Sequence, residues 1–140
     1  MTHVDCHVCQ LGAKASEDQI VYRDDYWTAA SSVAVPGWMM LFLNRHNDGV
    51  WELDDTEAET FGRLLTKLSK AIRQACAPER VYVMYAGENA LHFHVMLMAR
   101  GADVPEEWRG GSLLGHHADL VDADEADRVL VTVRETFAAL

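Results

Sequence analysis

The chain has 140 residues, 49% of them apolar and 24% charged, a balance that suits one globular domain with a real core. Twelve basic against twenty-two acidic residues leave a formal charge of −10. A nucleic-acid polymer is therefore not expected as a partner, because the basic footprint is missing. A small phosphate-bearing ligand stays open, since it needs only a local cluster of donors.

The N-terminus shows no basic stretch followed by an apolar one, and no apolar run approaches the roughly 20 residues that cross a bilayer. The expectation is a cytoplasmic protein with no membrane partner. Cys6, Cys9 and Cys76 make an odd set, a poor disulfide framework and a better fit to metal or free thiols.

Residues 1–19 are polar and lack periodicity apart from CHVC at Cys6 to Cys9. Ile20 to Ser32 predicts two short strands with a turn at Asp24-Asp25. Pro36-Gly37 marks a break, and Trp38 to Leu43 reads as a strand covered on both faces, running on to His46. Asp54 with Glu57 fits an acidic capping box. Ala58, Phe61, Leu65, Leu68, Ile72 and Ala75 then recur as one helical stripe that Pro78 ends, with Cys76 on its edge. Residues 79–100 predict two antiparallel strands joined at Gly87-Glu88-Asn89. Gly101 to Val121 reads as loop. Asp122 with Glu125 caps a last helix bearing Ala126, Val129, Leu130, Val133, Phe137 and Leu140 on one side. The fold class is α+β, a single domain over 1–140 with an N-terminal arm (1–19) and a C-terminal loop and helix (101–140).

Chemistry concentrates in LHFHVMLMAR, Leu91 to Arg100. Alternation puts Leu91, Phe93, Val95, Leu97 and Ala99 on a core face, and His92, His94, Met96, Met98 and Arg100 on the other. Two imidazoles roughly 7 Å apart along one pleat can both reach one small ligand or metal. Neutral imidazole serves as nucleophile and as metal ligand near neutral pH. Cys-x-x-Cys is a usual half of a tetrahedral zinc site. It is also the spacing of redox dithiols, which sit at a helix start after a strand, and none precedes it here. His46 and His92 are the best-placed further ligands. His3 and His7 lie nearer in sequence, but His7, between the thiolates, would have to bend back. His116 and His117 fall in loop. Arg100 could approach a phosphate, and Trp38 or Trp108 could stack a base.

Together these residues resemble the histidine triad (HIT) superfamily, whose signature alternates three histidines with apolar residues. HFHVMLM matches it at His92 and His94 and departs at Met96. The order of parts over roughly residues 5 to 100 is similar to the zinc-containing branch. An early Cys-x-x-Cys is followed by strand, turn and strand. A glycine-bearing apolar strand then ends in Arg45-His46. One long helix follows, and then AGENALH from Ala86 to His92.

The resemblance implies a HIT-like, about five-stranded antiparallel sheet with two helices, usually a homodimer. It implies a nucleotide hydrolase or nucleotidyl transferase acting on a phosphoramidate, dinucleoside polyphosphate or similar nucleotide ester. In it His94 attacks the α-phosphorus and carries the nucleotidyl group, with His92 beside it in the catalytic motif. Cys6, Cys9, His46 and His92 would hold a structural zinc that pins the arm to the catalytic strand. Gly87, Glu88 and Asn89 match the phosphate turn, and Met96 and Arg100 complete the expected substrate-binding set. Three departures stand out. Met96 replaces the third histidine, Thr28 to Ser32 lacks the residue that grips the ribose, and Glu88 adds negative charge at the turn. A nucleotide sensor with degraded catalysis, or a HIT scaffold turned to other chemistry in the same pocket, is the alternative.

Overall fold

A computed structural model describes His3 and residues 5–140, so the start of the expected arm, Met1, Thr2 and Val4, lies outside the described residues. Five strands form one antiparallel sheet: β1 (Ile20–Arg23), β2 (Trp27–Ala30), β3 (Trp38–Leu43), β4 (Arg80–Met84) and β5 (His94–Arg100), in the order β1-β2-β3-β5-β4. Four α-helices accompany it rather than two: α1 (His7–Lys14), α2 (Asp55–Cys76), α3 (His117–Leu120) and α4 (Ala123–Ala139). The class is the expected α+β. Among the described residues no helix is long and apolar enough to cross a membrane.

One sheet face carries Ala29, Met39, Leu41, Leu43, Val95 and Leu97. It packs on Leu64, Leu68, Ala71 and Ile72 of α2 and on Val129, Leu130, Val133 and Phe137 of α4. Asp54 caps α2 by accepting the Glu57 N–H at 2.8 Å. The reciprocal half of the expected capping box is missing, because the Glu57 carboxylate accepts from Arg45 instead. That ion pair turns Glu57 inward, so the buried stripe of α2 begins there and Ala58 faces solvent.

The turn at Pro36-Gly37 is closed by Trp38 N–H donating to the Val35 carbonyl at 3.1 Å. Gly37 adopts φ +76, and a Cβ there would lie 2.6 Å from the Ala99 Cβ and 3.0 Å from the Cys76 Sγ. Only glycine lets helix α2 and β5 close over this turn.

The opposite sheet face is covered too, in two patches. Helix α1 sets Val8 and Cys9 on Ala30 and Phe42. Residues 101–121, expected as plain loop, form short 3-10 turns and α3 and place Val104 and Leu113 over Trp38, Met96 and Met98. Met96 and Met98 are therefore packed rather than half-solvated. Two long side chains at alternate positions supply an apolar seat for the C-terminal segment.

The connection between β4 and β5 spans residues 85–93, much longer than the three-residue turn expected from the sequence. Its last residue, Phe93, is held from two sides. Its N–H donates to Asn47 Oδ1 at 2.8 Å, and its carbonyl accepts the Leu43 N–H at 3.2 Å. The longer loop leaves Leu91 on the surface instead of in the core, and Leu140 is likewise exposed at the end of α4.

Candidate active site and metal centre

The Cys-x-x-Cys pair opens α1. Cys6 is the N-cap, and its sulfur accepts the Cys9 N–H at 3.4 Å. The dithiol thus sits at a helix start, and, as the sequence suggested, no strand precedes it among the described residues. Residues i and i+3 share a helix face, so both sulfurs point the same way. They point at two imidazoles. Cys9 Sγ lies 3.3 Å from His92 Nδ1 and 3.5 Å from His46 Nδ1, and Cys6 Sγ lies 3.5 Å from His92 Nδ1.

His92 is fully buried. Its Nε2 is 2.5 Å from the Leu43 carbonyl, which can only accept, so Nε2 carries the proton and the Nδ1 lone pair faces the sulfurs. Burial pulls the His92 pKa down to about 4, against the opposing pull of the Leu43 carbonyl, which keeps the ring neutral at neutral pH. Burial likewise lowers His46, with His3 adding to it, and raises Cys9.

All four ligand atoms lie within 4.8 Å of one another. A tetrahedral zinc with Zn–S of about 2.3 Å and Zn–N of about 2.0–2.1 Å needs S···N edges of about 3.5 Å. The observed separations match, and two thiolates with two imidazoles are the donor set that zinc prefers. The orienting bond from His92 Nε2 to a backbone carbonyl is the outer contact such ligands carry. Cys6, Cys9, His46 and His92 therefore fit a closed, four-ligand zinc site. His3 stacks on His46 with ring centroids 3.8 Å apart, outside the ligand set.

His94 opens β5 on the far side of His92. Its Nδ1 is 2.7 Å from the His92 carbonyl. That oxygen is an acceptor, so Nδ1 bears the proton and the Nε2 lone pair is free. Tyr85 supports the ring edge-on at a centroid distance of 5.6 Å.

Between the two covering patches the sheet is left open as a cavity of about 230 Å³. Its walls include His94 and Met96 from β5, Met40 from β3, His7 and Val8 from α1, and Leu114 from the C-terminal segment. The loop from Tyr85 to Ala90 closes it, bringing Gly87, Glu88 and Asn89 to the same space. Gly87 holds φ +72 with its Cα over the Tyr85 hydroxyl, where a Cβ would meet oxygen at 2.7 Å. Glu88 and Asn89 are exposed at the rim, so the Glu88 carboxylate can turn to solvent.

One sequence candidate stands elsewhere. Arg100 lies at the opposite end of β5, six residues and roughly 20 Å from His94. It is buried, its Nη1 3.1 Å from Glu79, and its Nε donates to the Tyr82 hydroxyl at 3.4 Å. Its place is structural, tying β5 to the start of β4. Trp38 is buried and donates to the Ala99 carbonyl, and Trp108 stacks on His116, so both pack rather than line the cavity. Thr28, in the stretch expected near a ribose, is buried and donates to Asn44 at 2.7 Å. Tyr85 and Leu114 escaped the sequence reading, and His7 entered it only as a lower-ranked metal ligand, not as a wall of this cavity. His7 alone had a visible signal, its place inside CHVC.

No protein-family model matches the sequence, and no curated protein matches it significantly. Solved structures do match. A hypothetical histidine triad nucleotide-binding protein from Sulfolobus tokodaii has a TM-score of 0.74 at 16% identity, over 96% of this chain and 93% of that one. A Hit-like protein involved in cell-cycle regulation from Bartonella henselae has a TM-score of 0.71 at 14% identity, over 97% and 98%. A Zn-bound histidine triad family protein from Mycobacterium smegmatis has a TM-score of 0.66 at 11% identity, over 96% and 94%. The chain is built on the histidine triad fold.

Proposed function

We propose that the chain is a zinc-containing member of the histidine triad superfamily. It hydrolyses or transfers the nucleotidyl group of a nucleotide phosphoramidate, dinucleoside polyphosphate or similar nucleotide ester. The observation that carries this is the state of His94. Its Nδ1–H is committed to the His92 carbonyl, and the ring lines a cavity that also contains the Gly87-Glu88-Asn89 turn. An imidazole held by one nitrogen presents the other as a nucleophile.

In the first step Nε2 of His94 forms a bond to the α-phosphorus. The bond from that phosphorus to the leaving nitrogen or oxygen breaks, and its electron pair departs with the leaving group. The positive charge gained by the ring strengthens the Nδ1–H bond to the His92 carbonyl. In the second step a water oxygen, or another acceptor, attacks the phosphorus. The N–P bond breaks, its electrons return to Nε2, and the acceptor releases a proton. Cys6, Cys9, His46 and His92 hold zinc, which supplies a structural cross-link between α1 and the catalytic strand. Four protein ligands leave no open position for substrate. The active form is a homodimer, for which the free edge of β4 with its exposed Val83 is the available seam.

Mixing the protein with adenosine 5′-phosphoramidate and quenching before turnover should show, by intact mass, one adenylyl group on the chain. His94→Gln should abolish that adduct while the zinc content stays unchanged. Hydrolysis without any dependence on His94 would overturn the reading. A nucleotide sensor is the second reading, favoured by Met96 on the cavity wall where a third imidazole would stand. Tight AMP binding with neither adduct nor turnover would select it.

A further inference from the structure

A second imidazole lines the cavity that holds His94. His7 begins α1, between the two metal-ligating cysteines, and stands outside the cluster of four ligands. Each residue turns a helix by about 100°, so one step from Cys6 carries the side chain off the face that meets His92 and His46. His7 is exposed, and among the described residues no hydrogen bond or ion pair holds its ring. It lines the cavity of His94, Met96 and the Gly87-Glu88-Asn89 turn, and also the neighbouring hollow bounded by Asn89, Ala90 and His46. It therefore stands at the rim where the phosphate turn approaches α1.

We propose that His7 is a phosphate-contacting residue, supplying from α1 the second imidazole donor that Met96 cannot supply from β5. The inference rests on the nucleotide reading of the His94 cavity and adds a residue to it. A thioether has no proton to give, whereas an imidazole carries at least one N–H in either charge state. The site would then draw on two walls. The strand brings the nucleophile and the helix brings the donor, with the metal cross-link between Cys6, Cys9 and His92 fixing their separation. The ligand class is a nucleoside monophosphate or ester, bound more tightly than the bare nucleoside by the contact to His7.

The test is calorimetric titration of the zinc-loaded protein with AMP and, separately, with adenosine. His7→Ala should weaken AMP binding by roughly tenfold, the loss of one hydrogen bond to a charged group. Adenosine binding should stay within about twofold by the same scale. His7→Gln, which keeps an N–H donor on the same helix, should retain part of the AMP affinity. It also serves if the alanine variant loses zinc. Met96→His placed in the His7→Ala background should recover AMP affinity, because it restores an imidazole on the other wall. Unchanged AMP affinity in His7→Ala would overturn the assignment. Equal weakening of AMP and adenosine would overturn it as well, since His7 would then touch the nucleoside. If the wild-type protein binds AMP no better than adenosine, the nucleotide reading itself falls and takes this inference with it.

Discussion

Met96→His is the substitution whose outcome depends most directly on the geometry of the cavity. Met96 pairs across the sheet with Met40 on one side and Met84 on the other, and it is 8% exposed, the exposed part facing the cavity of His94. Histidine fills nearly the volume of methionine, so the seat under Leu113 and Val104 survives the change. A positioned donor to a phosphate oxygen in the transition state contributes about 3 kcal/mol, judged by removal of single oxyanion-hole donors. Burying part of a polar ring among methionines costs about 1 kcal/mol. The difference of about 2 kcal/mol corresponds to a rate gain of roughly 30-fold. The assay is single-turnover hydrolysis of adenosine 5′-phosphoramidate, with zinc content and melting temperature measured on the same sample. A variant that is folded and zinc-loaded yet within twofold of the wild-type rate would refute the placement of Met96 against the phosphate. The gain should also be larger when His7 is alanine, because the two imidazoles would otherwise share one role.

Three further outcomes follow from the same structure. Metal analysis of the purified protein should return about one zinc per chain, and Cys6→Ser should lose it, with faster amide exchange over residues 6–14 because α1 then loses its cross-link to His46 and His92. Glu57→Ala should lower the free energy of urea unfolding by about 1–3 kcal/mol without changing the slope. The buried carboxylate accepts from Arg45 at 2.8 and 3.2 Å and fixes the residue that precedes His46. Arg100 holds the Glu79 carboxyl below its usual range, with Arg109 adding to it. The unfolded chain therefore binds the proton more readily than the folded one. The stabilisation is present above the unfolded carboxylate pKa and is lost as pH falls through the lower, folded value. Stability profiles between pH 6 and pH 3 should show this loss in the wild type and a flatter acid limb in Glu79→Gln.

The metal centre was legible because its chemistry is local and its spacing is short. Cys6 and Cys9 lie three apart, and any helical start turns both sulfurs to one side. What the spacing could not reveal is that this same geometry places His7 on a different face, where it meets the cavity of His94. The strand pattern from Val95 to Ala99 was equally plain, since period-two alternation survives whichever loop precedes it. Leu91 was misplaced because alternation was extended past the start of β5, and Arg100 because a shared face says nothing of distance along the strand: it is the last residue of β5 and His94 the first. At one end, Asn47 captures the Phe93 N–H and releases Leu91 to the surface. At the other, Glu79 just before β4 and Tyr82 within it hold Arg100. In both cases the deciding partner is distant in sequence, so no local pattern carries it. The segment from Gly101 to Val121 was opaque for a related reason. Its structure consists of short 3-10 turns whose stability comes from Val104 and Leu113 settling on Trp38 and Met98, not from its own periodicity. That settling leaves the cavity a floor of β3 and β5 and a side wall at Leu114, so the least readable stretch of the chain sets one wall of the space beside His94.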